Sequence, residues 1–161
     1  DDYFAKLCVE WEALARGAQC RTAMLRFGII IGRGGGALPT MLIPAKLGVS
    51  GPLGGGQQWW SWVDVIDAVG AIRFSIDSDI EGPINVVAPE PIRQADFNRV
   101  LCGVVRRPSF MPAPAFALRA ILGTFASEIL SSKRVIPERL QASGFHWAMA
   151  DLEESIRAAV A

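Results

Sequence analysis

The chain has 161 residues, an apolar share of 51% and a charged share of 20%, enough to bury one sizeable core. Sixteen basic residues balance sixteen acidic ones, so no global field gathers nucleic acid or an anionic membrane surface. Cys8, Cys20 and Cys102 form no C-x-x-C pair and show no metal-ligand spacing, which argues against a disulfide framework and points to a reducing cytoplasm or organelle interior, of which the cytoplasm is the expected location.

The opening residues, DDYFAKLCVEWEALA, carry acids and no uninterrupted apolar core, unlike a signal peptide. No apolar run reaches the roughly 20 residues that span a bilayer. The chain begins without Met and close to a helix, so an upstream segment is expected. Between Glu12 and Asp64 there is no acid, while Arg16, Arg21, Arg26, Arg33 and Lys46 fall in the gap. Two readings stay open: a basic surface for an anionic ligand, or a glycine-rich stretch with a few solvated cations.

From Tyr3 to Ala15, Phe4, Leu7, Cys8, Trp11, Leu14 and Ala15 recur at three- and four-residue steps, predicting an amphipathic helix that ends at Gly17 and packs against something. Thr22–Ile31 is almost wholly apolar and reads as one strand buried on both faces, which implies a parallel sheet. Residues 32–56 are rich in Gly and Pro and predict a long connection around a short helix near Leu38–Leu42. QQWWSWVDV follows, with three tryptophans that line a cleft or fill a core, and Asp67 stands as the cap of a helix over AVGAIRFSI. Ile84–Val87 predicts a second strand and Gln94–Val105 a helix. Helices are then expected over Phe116–Leu130, near Pro137–Ala142, and from a cap at Asp151 to Ala159.

Gly32-Arg33-Gly34-Gly35-Gly36-Ala37 has the spacing G-x-G-x-x-A after a strand. A dinucleotide fingerprint also requires a helix whose start faces the pyrophosphate and an acid about 20 residues on. Pro39 and Pro44 limit such a helix and the next acid is Asp64, so the segment reads as a flexible loop. Tyr3 and Lys6 stand three residues apart, not at the four-residue spacing of a tyrosine–lysine acid/base dyad. His146 is the only histidine and has no nearby nucleophile pattern, so a surface or strand role is expected and no metal set is assigned. The aromatics are not interleaved with a basic stripe, which gives nucleic-acid binding no support.

Taken together, FAKLCVEWEALA, LRFGIIIGRGGGALPTMLIPAKLGVSGPLGGGQQWWSWVDVIDAV, GPINVVAPEPIRQADFNRVL and RPSFMPAPAFALRAILG resemble an epimerase family. Its members also go under the names nucleoside-diphosphate-sugar epimerase and cell division inhibitor, and it is an atypical group of extended short-chain dehydrogenase/reductases. The resemblance covers essentially the whole chain. It implies an α/β fold: the C-terminal part of a Rossmann-like doubly wound parallel sheet over residues 1–90, and a small, mostly helical substrate-side domain over 91–161. Thr22–Ile31 and Ile84–Val87 are expected side by side, with apolar surface left for an absent N-terminal half.

In that family the helix pattern Y-x-x-x-K-x-x-x-E, registered on Glu12, puts Phe4 at the Tyr position and Cys8 at the Lys position, so no catalytic residue is assigned. The R-P-G-x-V-x-G segment corresponds to Arg26–Gly32 and makes Phe27, Gly28 and Ile29 the expected neighbours of a nicotinamide, in NADP or NAD. Gln57, Gln58, Trp59 and Ser61 fall where relatives build the substrate cleft, and the usual H-I-D-D reads Asp64-Val65-Ile66-Asp67. The resemblance thus implies an NAD(P)-binding, epimerase-like oxidoreductase with an unknown small-molecule substrate, compatible with a homo-oligomer; this chain alone is expected to bind dinucleotide weakly. The alternative is a non-enzymatic nucleotide-sensing or partner-binding scaffold, linked to cell division. Turnover separates the two.

Overall fold

The computed structural model describes residues 3–161, without the side chains of residues 3, 4, 122 and 125. Its first helix, α1 (Tyr3–Arg16), leads into β1 (Ala23–Phe27), which pairs in parallel with β5 (Gly82–Val86) from Ala23 opposite Gly82 to Phe27 opposite Val86. Only a crossover can join parallel neighbours, and α3 (Val65–Asp77) lies within it, packed on β1. The expected pairing of the two apolar segments is present.

The single strand expected over Thr22–Ile31 is instead two strands that part at Gly28. After the break, β2 (Ile29–Ile31) pairs in parallel with β4 (Trp62–Asp64). Continuous apolar character signals burial but carries no record of a change of partner. Just upstream of β4, β3 (Trp59–Trp60) runs antiparallel to β6 (Ile92–Arg93), with Trp59 opposite Arg93.

Three helix boundaries differ from expectation. Asp64, in extended conformation, caps α3 by accepting the Ile66 N–H at 2.8 Å, which leaves Asp67 inside the first turn. The helix α2 (Leu38–Lys46) is longer than predicted because Pro39 occupies the first turn, where an amide donor has no intrahelical partner, and Pro44 is accommodated within it. The expected Phe116–Leu130 helix is broken into α5 (Ala115–Leu122) and α6 (Phe125–Leu130) by Gly123, whose φ of 58° with ψ of −134° suits only glycine. The helices α4 (Gln94–Val104), α7 (Glu138–Ala142) and α8 (Leu152–Val160) fall where expected, and Asp151 accepts the Glu154 N–H at 2.9 Å as the α8 cap.

Two apolar clusters hold these elements. One joins Ile31, Leu38, Trp60, Trp62, Phe97, Leu101, Leu152 and Ile156, so β2, α2, β3, β4, α4 and α8 share one core. Phe97 is fully buried and meets Trp60 edge-on at 5.4 Å between ring centroids. The other cluster places Val63, Ala71, Ile84, Val86, Leu140 and Phe145 around α3 and β5. By contrast α1 is barely covered: Trp11 and Leu14, on the stripe expected to pack, are 63% and 77% exposed. Among the described residues no helix is long and apolar enough to cross a membrane, and no group of three or more His, Cys, Asp or Glu could hold a metal ion.

Candidate functional site

Gly28 is where the sheet changes partners. Its N–H donates to the Val86 carbonyl at 3.2 Å, and the next N–H, of Ile29, donates to the Ser61 carbonyl at 2.9 Å. On the far side the Ala88 N–H donates to the Trp62 carbonyl at 2.6 Å. The ends of β1 and β5 and the start of β4 therefore converge on one residue. The carboxyl ends of β1 and β5 lie here, and in open α/β sheets ligands bind in the crevice outside the carboxyl ends of strands. Phe27 and Ile30 flank the break at 40% and 37% exposure. The Gly28 and Ile29 amides are both used within the protein, so the flank offers a ligand chiefly apolar contact.

The segment Gln57–Ser61 divides by residue. Gln58 is buried, donates through Nε2 to the Leu53 carbonyl at 3.0 Å, and accepts the Gln94 N–H on its own carbonyl at 2.9 Å. Ser61 is also buried; its Oγ donates to the Lys133 carbonyl at 2.9 Å and accepts the Val135 N–H at 3.0 Å. Both side chains tie loops together. Gln57 is exposed and Trp59 half-buried, so these two remain open to a ligand.

Trp59 is the middle of a three-segment ribbon. On one side it faces Arg93 of β6; on the other, its N–H donates to Ser132 Oγ at 3.1 Å and its carbonyl accepts the Lys133 N–H at 3.1 Å. The Arg93 guanidinium carbon lies 3.7 Å from a Trp59 ring centroid, and that of Arg134 lies 5.3 Å away. Arg93 also donates to the Gln57 carbonyl. Sequence reasoning missed both arginines because they reach Trp59 from 34 and 75 positions away in the chain, with no local motif.

The acids of Asp64-Val65-Ile66-Asp67 are buried and engaged. Asp64 caps α3 with one oxygen and accepts the Ser155 hydroxyl of α8 at 2.5 Å with the other. Asp67 accepts the Ala148 N–H at 2.7 Å and the Met149 N–H at 3.0 Å. On α1, Glu12 receives both Arg26 Nε and Nη2 at 2.6 Å and Arg16 Nη2 at 3.0 Å. The bidentate Arg26 contact, despite an opposing effect of burial, holds the Glu12 carboxyl below the ordinary carboxylate range and raises Arg26. Arg21 donates to the Ser75, Ile76 and Ile80 carbonyls at the end of α3, so three cations of the acid-free stretch have structural partners. Cys8 is exposed one turn before Glu12, and His146 is exposed, as expected.

Over residues 113–159 the chain matches the family model described as Domain of unknown function (DUF1731). The epimerase family protein SDR39U1 of Mus musculus is 35% identical over 164 residues, covering 99% of this chain and 56% of that protein. The chloroplastic SDR39U1 homologue of Arabidopsis thaliana is 39% identical, covering 98% of this chain and 46% of that protein. The crystal structure of human SDR39U1 (isoform 2) with NADPH superposes with a TM-score of 0.93 at 32% identity, over 99% of this chain and 55% of that one.

The chain is an epimerase-family homologue. It spans about half the length of the curated relatives it matches, and its fold is the C-terminal part of the short-chain dehydrogenase/reductase epimerase architecture, with its helical domain. Within the epimerase-family framework, Glu12 and Arg26 belong to the helix and strand segments that carried the resemblance, and they are bonded to each other.

Proposed function

We propose that this chain forms the substrate-side part of an NAD(P)-linked, epimerase-like oxidoreductase, with the nicotinamide lying against Phe27, Gly28 and Ile29. The observation that supports this most is the change of strand partners at Gly28, set beside exposed apolar side chains. An apolar flank with its amides already satisfied suits a flat ring better than a phosphate, and either NADP or NAD meets that requirement. The bound cofactor would supply hydride transfer. The chain's own residues orient the ring through the Phe27–Ile30 flank and limit water access with apolar surface. Gln57 and Trp59 then stand on the substrate side, two to four residues along the chain from Ser61, which bonds to Ile29.

The loop from Gly32 to Ala37 is not given the pyrophosphate. It does lead into α2, but no acid follows until Asp64, which is buried as a helix cap. A pyrophosphate-binding loop would come from sequence outside this chain. The free thiols of Cys8, Cys20 and Cys102 support a cytoplasmic location for the protein.

With the family's helix pattern registered on Glu12, the Tyr position holds Phe4, which has no titratable proton. That feature favours a second reading, in which the fold senses nucleotide or binds a partner without turnover. The test joins the chain to the part of the mouse relative left uncovered by the match and titrates this chimera with NADPH, read by nicotinamide fluorescence. Saturable binding by the chimera and none of submicromolar affinity by the 161-residue chain is expected. A folded chimera that does not bind, or tight binding by the chain alone, overturns the proposal. Incubation of the chimera with NADPH and a panel of carbonyls and nucleotide sugars then separates the two readings: turnover selects the enzyme, and binding without turnover selects the scaffold.

A further inference from the structure

Residues 131–137 form neither helix nor strand, so their place is set by the bonds they make to other segments. They are stitched to residues 59–61. Ser132 Oγ accepts the Trp59 N–H at 3.1 Å, and the Trp59 carbonyl accepts the Lys133 N–H at 3.1 Å. Just upstream, the Ile129 carbonyl of α6 accepts the Trp60 indole N–H at 3.3 Å. The Ser61 hydroxyl closes the row, donating to the Lys133 carbonyl at 2.9 Å and accepting the Val135 N–H at 3.0 Å. A hydroxyl fills both roles at once, which no apolar or acceptor-only side chain can do.

The backbone of Ser61 makes a second set of contacts. Its carbonyl accepts the Ile29 N–H at 2.9 Å, and a β-carbon on Gly28 would lie 2.5 Å from that same oxygen. The Gly28 backbone therefore lies directly against the Ser61 peptide, with no side chain between them. Close-packed interiors have little compressibility, so a displacement of Ser61 is passed to Gly28 and Ile29 rather than absorbed. The next residue, Trp62, is buried and stands opposite Ile29 in the β2–β4 pair, so core packing holds the two strands at the same point. One residue thus touches both the irregular segment and the partner switch.

We propose that Ser61 is a positioning residue that couples the helical part of the chain to the Gly28–Ile29 flank. Its hydroxyl fixes residues 133–135, its carbonyl fixes the flank, and a shift of either segment moves the other. A small molecule that displaces residues 132–135 therefore alters the surface offered to the nicotinamide, and by linkage the bound nicotinamide alters the affinity for that molecule. As a statement about cofactor and substrate, this rests on the reading that the nicotinamide lies against Phe27, Gly28 and Ile29. The coupling itself rests on the hydrogen bonds of Ser61 and on its contact with Gly28.

Amide hydrogen exchange in the 161-residue chain, read by NMR, tests the coupling in Ser61→Ala and in Ser61→Cys, whose thiol is only a weak donor and acceptor. In Ser61→Ala the Val135 amide should exchange about threefold to tenfold faster, the scale of one ordinary hydrogen bond, and Ile29 should follow by about threefold or more. Ser61→Cys should lie between parent and alanine variant, and it carries the test if Ser61→Ala does not fold. Leu101, inside α4, should exchange as in the parent. Acceleration at Val135 alone makes the hydroxyl a local tie and overturns the proposal. Parent-like exchange at both amides, or an equal rise at Leu101, overturns it too. In the chimera, the same substitutions should weaken NADPH binding about threefold to tenfold and change the emission of the bound nicotinamide. Parent-like affinity and emission in a folded variant overturn the positioning role. A parent chimera that does not bind NADPH removes the NAD(P) reading, and the exchange of Ile29 still decides the coupling.

Discussion

A β-carbon built on Gly28 would lie 2.5 Å from the carbonyl oxygen of Ser61 and 2.9 Å from its carbonyl carbon, with a Val87 methyl also at 2.9 Å. The obstruction is largely backbone, and the same Ser61 carbonyl accepts the Ile29 amide. A side chain at 28 therefore pushes apart the two strand pairs that meet there. Gly28→Ala should lower stability by about 1–3 kcal/mol, the usual scale of overpacking. Gly35→Ala, with nothing within 4 Å of the added carbon, should change it by less than about 0.5 kcal/mol. Urea denaturation of both variants measures the contrast, and equal midpoints would remove the close approach as the reason for glycine at position 28.

Glu12 links α1 to β1 through Arg26, and its carboxyl is held below its ordinary value of 4.5. A depressed native value means the unfolded chain binds a proton more readily. The resulting stabilisation is fully present above about pH 4.5 and is lost as pH falls through the native value. Glu12→Gln should be less stable than the parent at neutral pH, and the difference should shrink in acid. The effect is expected to be small because Arg26 is half exposed. Urea midpoints of the two proteins from pH 7 to pH 3 test this, and a gap that widens toward acid would reverse the sign.

Asp67 uses both carboxylate oxygens on the amides of Ala148 and Met149. Its work is to fix the segment before α8. Asp67→Asn keeps one acceptor oxygen and turns the other into a donor facing an N–H, so a loss of about 1–3 kcal/mol is expected. Hydrogen exchange at Ala148 and Met149 should accelerate in the variant while exchange in β2 stays slow. Unchanged protection at 148 and 149 would contradict this role.

The legible part of the fold was its apolar periodicity. It placed β1, β5, α4 and α8 and anticipated that the two strand regions would be neighbours, because burial requires those patterns whatever lies around them. What escaped was decided by partners distant in the chain. The partner switch at Gly28 depends on Ser61 and Val86, and the short strands at Trp59–Trp60 and Ile92–Arg93 exist because each has the other. The tryptophan run likewise could not be apportioned from sequence: Trp60 and Trp62 entered the core, whereas Trp59 stayed near the surface beneath two arginines. Of the expected substrate-cleft residues, Gln58 and Ser61 direct their polar atoms to backbone groups, a use that residue type alone does not reveal.

The outer stripe of α3 carries Val65, Ile66, Val69, Ile72 and Ile76, all exposed at helical spacing, and Trp11 and Leu14 of α1 are similarly bare. In the proposed whole protein this surface meets the part of the architecture that the chain does not contain. Ile72→Glu should then be nearly neutral in the 161-residue chain, within about 0.5 kcal/mol, because the side chain is 42% exposed there. In the chimera with the mouse segment the same substitution would bury a charge, and a loss of about 2 kcal/mol or more is expected. The 161-residue parent should self-associate through the stripe in sedimentation experiments, and Ile72→Glu should reduce that association. If the variant costs the chimera no more than the chain, the joined mouse segment does not cover α3, and self-association alone would explain the apolar stripe.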